Sequence, residues 1–317
     1  MEAGKYPKKD RLEVGVGYIK NLFCFFVRKR KGEVASINCF IAAGMLIVLI
    51  TAGIDLSVGF NCVLATCVMG VEMQAGIKNP VILLGSALLA GTVIGYINGS
   101  LLTRLDLPHP FVSTLGMKFI TWGLALLITH AIPIGFNKMG VDPILFLGSK
   151  TIKQFPISFL AVIVAFILMD IFLKKTKLGR EIYCVGGNPE ASRLAGIDNK
   201  QVLRTVYTIT GLMCGIAGII LAGRVSTANA NAGTTFDTDA IAACIIGGAS
   251  FTGGKGTIWG TMIGALLIAV IRNGLNLLGA QTDIQYIIIG MVIVIAVLID
   301  VTRGKAEAKA RKNAMVR

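Results

Sequence analysis

Nine apolar runs, each long enough to cross or nearly cross a bilayer, constrain the fold of this 317-residue chain more than any other feature. A membrane-spanning helix needs about 20 mainly apolar residues, and its backbone satisfies its own hydrogen bonds. The sequence therefore predicts an all-α integral membrane protein, a polytopic bundle of nine or ten spans. The nine runs are Ile37–Gly53, Leu56–Ala75, Pro80–Leu102, Phe111–Ile132, Pro156–Leu173, Val202–Ala222, Asp239–Phe251, Thr257–Leu278 and Ile284–Leu298.

Composition agrees with this class. Apolar residues make up 54% of the chain and charged residues 15%, against about 45–50% and about 25% in soluble domains. The seventh run, Asp239–Phe251, is short and ends in glycines, so we expect a broken or re-entrant helix there. Glycines spaced by four predict close helix packing, and they recur at Gly91/Gly95/Gly99, Gly211/Gly215 and Gly256/Gly260/Gly264.

The net charge of +14 is a topology signal rather than a nucleic-acid signal. Nine Lys and Arg residues precede Gly32, seven lie in Lys174–Arg204 and six in Arg303–Arg317. Basic loops beside apolar spans are typically cytoplasmic, which places Lys174–Arg204 and the C-terminal tail in the cytoplasm. Five runs precede that loop, so Met1–Lys31 would lie outside unless a further span precedes Ile37. We therefore expect the N-terminal segment to be atypical.

An internal repeat points to the same region. Gly91–Gly95 (GTVIG) is echoed by Gly260–Gly264 (GTMIG), and the predicted topology runs these two spans in opposite directions. This pattern predicts two inverted repeats, an arrangement common in transporters. It leaves Pro156–Leu173 without a partner, and that partner would precede Ile37. The alternative is chance similarity between two glycine-rich spans.

Residue patterns for nucleotide, metal and disulfide chemistry are absent from the sequence. The glycine-rich run Gly247–Gly256 lacks the Gly-Lys-Ser/Thr ending that a phosphate-binding loop requires. The seven cysteines include no CxxC pair, and the chain has two histidines. We therefore expect no cofactor, no metal and no catalytic residues, and the chain is predicted not to be an enzyme.

A short capped helix is predicted inside the basic loop. In Gly186–Ile197, Asn188 suits the N-cap, Pro189 the first helical position and Glu190 the positive end of the helix dipole, and Gly196 ends the helix. So short a helix has little stability alone, which implies a docking partner. A plain surface connector is the alternative interpretation.

Polar residues in or beside the spans are the other candidates for function. Asp55 lies between two apolar runs, where it could cap the second helix or line a pathway. No series of carboxylates suggests a proton relay, which disfavours a proton-coupled carrier.

Several motifs together resemble the permease subunit of bacterial monosaccharide ABC importers, of the ribose, xylose and galactose type, from about Ile37 to Gly304. They are GIDLSVG at Gly53–Gly59, the run Pro110–Gly116, GREIYCVGGNPEASRLAGI at Gly179–Ile197, AGRVSTANANAG at Ala222–Gly233, DAIAACIIGGASFTGGKGT at Asp239–Thr257 and NGLNLLG at Asn273–Gly279.

The resemblance implies roles for particular residues. The capped helix would be the coupling helix that docks on a cytoplasmic ABC ATPase subunit, through Gly187, Asn188, Pro189, Glu190, Ala191, Arg193, Leu194 and Gly196. A monosaccharide from an extracytoplasmic sugar-binding protein would pass between two permease subunits, expected to be a homodimer in the bacterial cell membrane. The candidate pathway residues, whose side chains suit sugar hydroxyls, are Asp55, Asn61, Asn98, Asn273 and Asn276.

The resemblance also predicts the domain organisation, and two alternative functions stay open. It predicts a basic, atypical segment at residues 1–36, a transmembrane permease domain at 37–304 and a basic cytoplasmic tail at 305–317. The family has a first span where Met1–Lys31 is basic. The alternatives are a secondary transporter working alone on a small polar solute, or an N-terminally damaged, non-functional relative. The sequence does not specify which sugar is carried.

Overall fold

The structure, a computed structural model, describes residues 31–105, 107, 109–136, 151–152 and 155–315. Eleven helices and four two-residue strands lie within these ranges. The helices are α1 (Lys31–Ile50), α2 (Val58–Gln74), α3 (Pro80–Arg104), α4 (Pro110–Thr129), α5 (Ile157–Lys175), α6 (Lys177–Gly187), α7 (Pro189–Leu194), α8 (Asn199–Val225), α9 (Phe236–Ile246), α10 (Ile258–Leu277) and α11 (Thr282–Met315). The strands are β1 (Ile134–Gly135), β2 (Thr151–Ile152), β3 (Phe155–Pro156) and β4 (Thr227–Ala228).

Helices long and apolar enough to cross a membrane confirm the predicted fold class. Six such segments occur among the described residues: α3, α4, α5, α8, α10 and residues Thr282–Thr302 of α11. Two shorter apolar helices, Ala35–Ile50 within α1 and Val58–Gln74, accompany them. Each of the nine predicted runs overlaps one helix, and the seventh corresponds to the 11-residue α9. The predicted extra span before Ile37 falls on residues outside those described, and the domain boundaries stay predictions.

Helix α1 occupies the centre of the bundle. Every residue of its described stretch from Ala35 to Ile50 is buried, as expected of a helix that is apolar on all sides. It packs against α8, α9 and α10, while α8 packs against α1, α2 and α3. The first helix of each predicted repeat thus packs on the second and third helices of the other. This exchange supports the inverted repeat, which stays a prediction.

Glycines spaced by four form the contact between α3 and α8. A Cβ atom on Gly91 would lie 2.5 Å from the carbonyl oxygen of Gly211, and one on Gly95 would lie 2.9 Å from the Gly211 Cα. The two backbones approach so closely because neither helix has a side chain there. The predicted packing role of these glycines is confirmed.

Adding one methyl group at this contact is expected to destabilise the protein. Gly95→Ala should lower the free energy of unfolding by about 1–3 kcal/mol, because the new Cβ would overlap the carbonyl oxygen of Tyr207. The matched control is Gly85→Ala on the same helix, where a Cβ would meet no atom within 4 Å and should stabilise by up to about 1 kcal/mol. Thermal unfolding in detergent measures both. Equal effects from the two substitutions would contradict the contact.

The described chain contains two short strand pairs, and helix α8 connects the two ends of the bundle. β1 pairs antiparallel with β4, Ile134 opposite Ala228, and β2 pairs antiparallel with β3, Thr151 opposite Pro156. Helix α8 begins beside α7 and ends beside β4. We call these the α7 end and the β4 end.

Helices α2 and α9 both begin inside the bundle. At the β4 end, a Cβ on Gly70 would contact Ala228, and eleven residues earlier a Cβ on Gly59 would lie 2.5 Å from the Gly233 carbonyl oxygen. At 1.5 Å per residue of helix, the segment from Ala228 to Gly233 therefore descends by about 16 Å along α2. Helix α9 begins at Phe236, directly after this descent. The short seventh run is thus a helix that starts within the bundle, as predicted for a re-entrant segment.

Candidate functional site: an exposed capped helix and buried polar residues

Helix α7 forms because its own sequence supplies the residues that cap both of its ends. The Asn188 side-chain oxygen accepts a hydrogen bond from the Ala191 N–H at 3.0 Å, with Pro189 at the first helical position. The last turn closes through the Gly196 N–H to the Arg193 carbonyl, and Gly196 has a φ of +82°. The predicted helix and both of its caps are confirmed.

The outer face of this helix is exposed in the described part of the chain. All eight predicted docking residues are exposed, and Leu194 is 80% exposed. Ser192, between them, is buried and donates to the Asn188 carbonyl at 2.9 Å. Glu190 and Arg193 form an exposed ion pair at 3.1 Å. The helix therefore presents an apolar leucine and a charge pair on a surface that a partner can reach.

The end of α6, which leads directly into α7, packs against the glycine-rich loop 247–256. The sequence did not predict this contact. The Gly254 N–H donates to the Ile50 carbonyl at 2.8 Å, and Gly186 lies against the same carbonyl. Gly253 and Gly254 both have positive φ, which glycine adopts without strain. The loop rejected as a phosphate-binding motif thus connects the end of α1 to α6. We call the contact of Gly186, Ile50 and Gly254 the glycine clasp.

A tyrosine on α6 adds a second attachment to the same loop. The Tyr183 hydroxyl donates to the Gly256 carbonyl at 2.8 Å. Burial and the nearby Asp170 carboxylate raise the pKa of Tyr183, so the hydroxyl remains protonated and able to donate. Helix α6 therefore contacts the end of the central helix α1 at Gly186 and bonds the adjoining glycine-rich loop through Tyr183.

Of the predicted pathway residues, Asp55 closes the turn that leads into α2. Its Oδ1 accepts from the Ser57 N–H at 2.9 Å and from the Ser57 hydroxyl at 2.6 Å, immediately before α2 begins. The Asn98 amide lies 3.4 Å from the same oxygen. Asp55 is 2% exposed and bonds the residue before α2 rather than an N–H of the helix, so it has a structural role in the turn in this conformation.

The other four amides divide into two places. Asn61 donates to the Gly91 carbonyl at 3.1 Å, and like Asn98 it is buried in the interior of the bundle. Asn273 and Asn276 lie on α10, which packs against α1 and α9. Asn276 is exposed and accepts from Gln285 at 2.8 Å. The structure brings Asp55 and Asn98 together, with Asn61 on the adjoining helix, and records no hydrogen bond from them to the α10 pair.

The comparisons with known proteins decide the family. The family described as "Branched-chain amino acid transport system / permease component" matches residues 33–297. The chain belongs to this permease family. The ribose import permease protein RbsC of Escherichia coli is 37% identical over 271 residues, covering 84% of this chain and 82% of that protein. RbsC of Bacillus subtilis is 38% identical, covering 84% and 81%, and the fructose import permease FrcC of Rhizobium meliloti is 36% identical, covering 82% and 73%.

Membership makes this chain a permease component of a transport system, integral to the bacterial cell membrane, as the resemblance implied. No solved structure matches the permease significantly. Among its described residues, no three His, Cys, Asp or Glu side chains cluster closely enough to hold a metal ion.

Two buried ion pairs of the permease were not among the predicted site residues. Arg272 on α10 donates to both oxygens of Asp239 on α9, each at 2.7 Å. Lys118 on α4 donates to Asp237 on the first turn of α9. Lys118 is the one lysine within the run Phe111–Ile132, and this isolated charge was the sequence signal.

Proposed function

We propose that this chain is the membrane-spanning permease of an ATP-binding-cassette importer that translocates a monosaccharide, ribose-like or related, delivered by an extracytoplasmic binding protein. ATP hydrolysis takes place on a separate ATPase subunit, and the permease itself is not an enzyme. The observation that carries the proposal is the segment from Gly187 to Gly196, in which α7 and its flanking residues expose all eight predicted docking residues while the preceding helix α6 packs on α1. The α7 end is then cytoplasmic, in keeping with its basic residues.

The proposed assembly contains two copies of the permease. The ATPase subunit binds α7 through Leu194 and the exposed Glu190–Arg193 pair. Movement of α7 reaches the central helix α1 through α6, because the glycine clasp joins α6 to the end of α1. Alternating access then depends on the difference in ATPase binding energy between the two states of the permease.

A monosaccharide is the proposed substrate because the curated relatives reported above are named for ribose and fructose import. The family description names branched-chain amino acids instead. Uptake into proteoliposomes that hold permease and ATPase, with a loaded binding protein outside, distinguishes a monosaccharide substrate from a branched-chain amino acid. We expect ATP-dependent uptake of a monosaccharide such as D-ribose and none of L-leucine; the reverse result would refute the sugar assignment. Gradient-driven uptake without the ATPase would support a secondary transporter instead.

Substitution of the α7 charges should weaken docking without unfolding the permease. Arg193→Ala is expected to lower both co-purification with the ATPase subunit and sugar uptake by about fivefold or more, equivalent to about 1 kcal/mol or more of interface energy. An exposed ion pair contributes about 0–1 kcal/mol to folding, so thermal unfolding should barely change. Lys177→Ala, at an exposed charge outside α7, is the control. Unchanged uptake in both Arg193→Ala and Glu190→Ala would overturn the coupling role.

A further inference from the structure

A lysine in the middle of a membrane helix needs a physical reason. Lys118 lies in the third turn of α4, its side chain is 22% exposed, and its ammonium contacts the Asp237 carboxylate, which is 1% exposed. Ionisable groups at this depth are costly and face a bundle interior or a water-filled cavity. The Asp237 Oδ1 atom is buried without a hydrogen-bond partner in the described chain. The pair is therefore only partly satisfied by the protein itself.

Three aromatic rings lie in a row beside this ion pair. The Lys118 ammonium lies 5.9 Å from the centroid of the Phe60 ring, and Phe60 stacks on Trp122 with 5.2 Å between centroids. Phe119, which is 58% exposed, lies on the other side, 6.5 Å from Trp122. The three rings thus run from the buried interior to the surface, with Trp122 half-buried between them.

An exposed amide completes the cluster. The Trp122 indole N–H donates to the Asn231 Oδ1 at 3.0 Å, which fixes the ring at one edge. The Asn231 amide nitrogen has no acceptor among the described residues, and the Asn231 side chain is exposed. One polar side chain thus has a free donor beside the tryptophan, whereas the unpartnered Asp237 Oδ1 is enclosed behind the lysine.

The position of the cluster in the fold is where transporters hold solutes. Asn231 lies in the segment that descends into the bundle, and Asp237 lies on the first turn of α9, whose start meets the start of α2 at the Gly59–Gly233 contact. Helices that begin inside the membrane present unpaired N–H groups and a partial positive charge near the midplane, and solute sites are found beside them.

From this geometry we propose that Lys118, Trp122 and Asn231 form a contact site for the transported monosaccharide, with Asp237 as a positioning residue for Lys118; the inference rests on the proposed function. A sugar ring has an apolar C–H face that packs on an aromatic ring, and hydroxyls that both donate and accept hydrogen bonds. The cluster offers these features side by side and is accessible from the surface of the chain. The predicted pathway residues Asp55, Asn61 and Asn98 are buried, so they do not provide such a surface in this conformation.

The test uses the complete transport complex in proteoliposomes, with D-ribose, D-allose, D-fructose and D-galactose each supplied on a loaded binding protein. The measured quantity is sugar transported per ATP hydrolysed, for the sugar that wild type carries fastest. Trp122→Ala should lower this ratio by about tenfold, because it removes the aromatic face on which the sugar ring packs. Trp122→Phe, which keeps a stacking ring, should retain most of it. A merely structural role would lower expression and ATP hydrolysis together and leave the ratio unchanged.

Two further variants keep the proposal falsifiable. Asn231→Ala alters an exposed side chain, so it tests the site even if Trp122→Ala fails to fold, and it should lower the ratio several-fold. Leu127→Ala, at a 68% exposed position of the same helix, is the control and should leave the ratio unchanged. A wild-type ratio in Asn231→Ala, together with one in any folded Trp122 variant lacking the ring, would overturn the contact site alone. A wild-type complex that carries none of these sugars would overturn both the site and the proposed function.

Discussion

Gly186→Ala is expected to lower the free energy of unfolding by about 2–6 kcal/mol and to abolish uptake. Its new Cβ would overlap the Ile50 carbonyl oxygen and come within 2.9 Å of the Gly254 nitrogen, so the 2.8 Å bond between those two groups must break. The expected loss combines about 1–3 kcal/mol for overpacking with about 1–3 kcal/mol for the unpaired backbone groups. Thermal unfolding in detergent and reconstituted uptake measure the two effects.

The neighbouring glycine provides the control for this substitution. A Cβ on Gly187 would meet no atom within 4 Å, although Gly187 follows Gly186 directly at the end of α6. Gly187→Ala should therefore unfold at nearly the wild-type temperature, with a change of less than about 1 kcal/mol. If the two alanine variants were equally stable, the glycine clasp would not hold α6 against α1.

Asp239→Ala should destabilise the permease by about 3–5 kcal/mol, because it leaves the Arg272 guanidinium partly buried without its carboxylate. The double variant Asp239→Ala/Arg272→Met removes both charges, and it should recover most of the lost stability. Measurements of folded yield and of thermal unfolding in detergent for the wild type, both single variants and the double variant close this thermodynamic cycle.

An exposed ion pair of the same type serves as the reference. Asp170 and Lys174 pair at 2.9 Å on α5, and the lysine side chain is 63% exposed. Asp170→Ala should change stability by about 1 kcal/mol or less, because water solvates the lysine that remains. An effect as large as that of Asp239→Ala would show that burial does not decide the strength of these pairs.

The spans and the capped helix α7 could be predicted because their causes are local. A run of apolar residues specifies a membrane helix whatever its neighbours are, and Asn188, Pro189 and Gly196 cap α7 through contacts within twelve residues of each other. The re-entrant α9 was also predictable, since its apolar run is too short to span. The pathway could be predicted only as a list of chemically suitable side chains.

Asp55 shows why that list did not become a site. The segment Asp55–Ser57 allowed either a cap or a pathway group, and both interpretations use the same three residues. In the structure the carboxylate contacts Ser57 and Asn98 and is 2% exposed, which is a structural position in the turn before α2. Burial depends on how α2 packs against α3 and α8, which no pattern within the segment reports.

By itself, the sequence determined that this chain is a helical membrane protein of the sugar-permease type with a capped helix in its basic loop. Only the tertiary structure joined Lys118 to Asp237, 119 residues apart, and placed the glycine-rich loop between α6 and the end of α1. The physical reason is the separation along the chain over which each interaction acts. Hydropathy and capping act over a few residues, whereas ion pairs and backbone contacts between distant helices exist only once the bundle has packed.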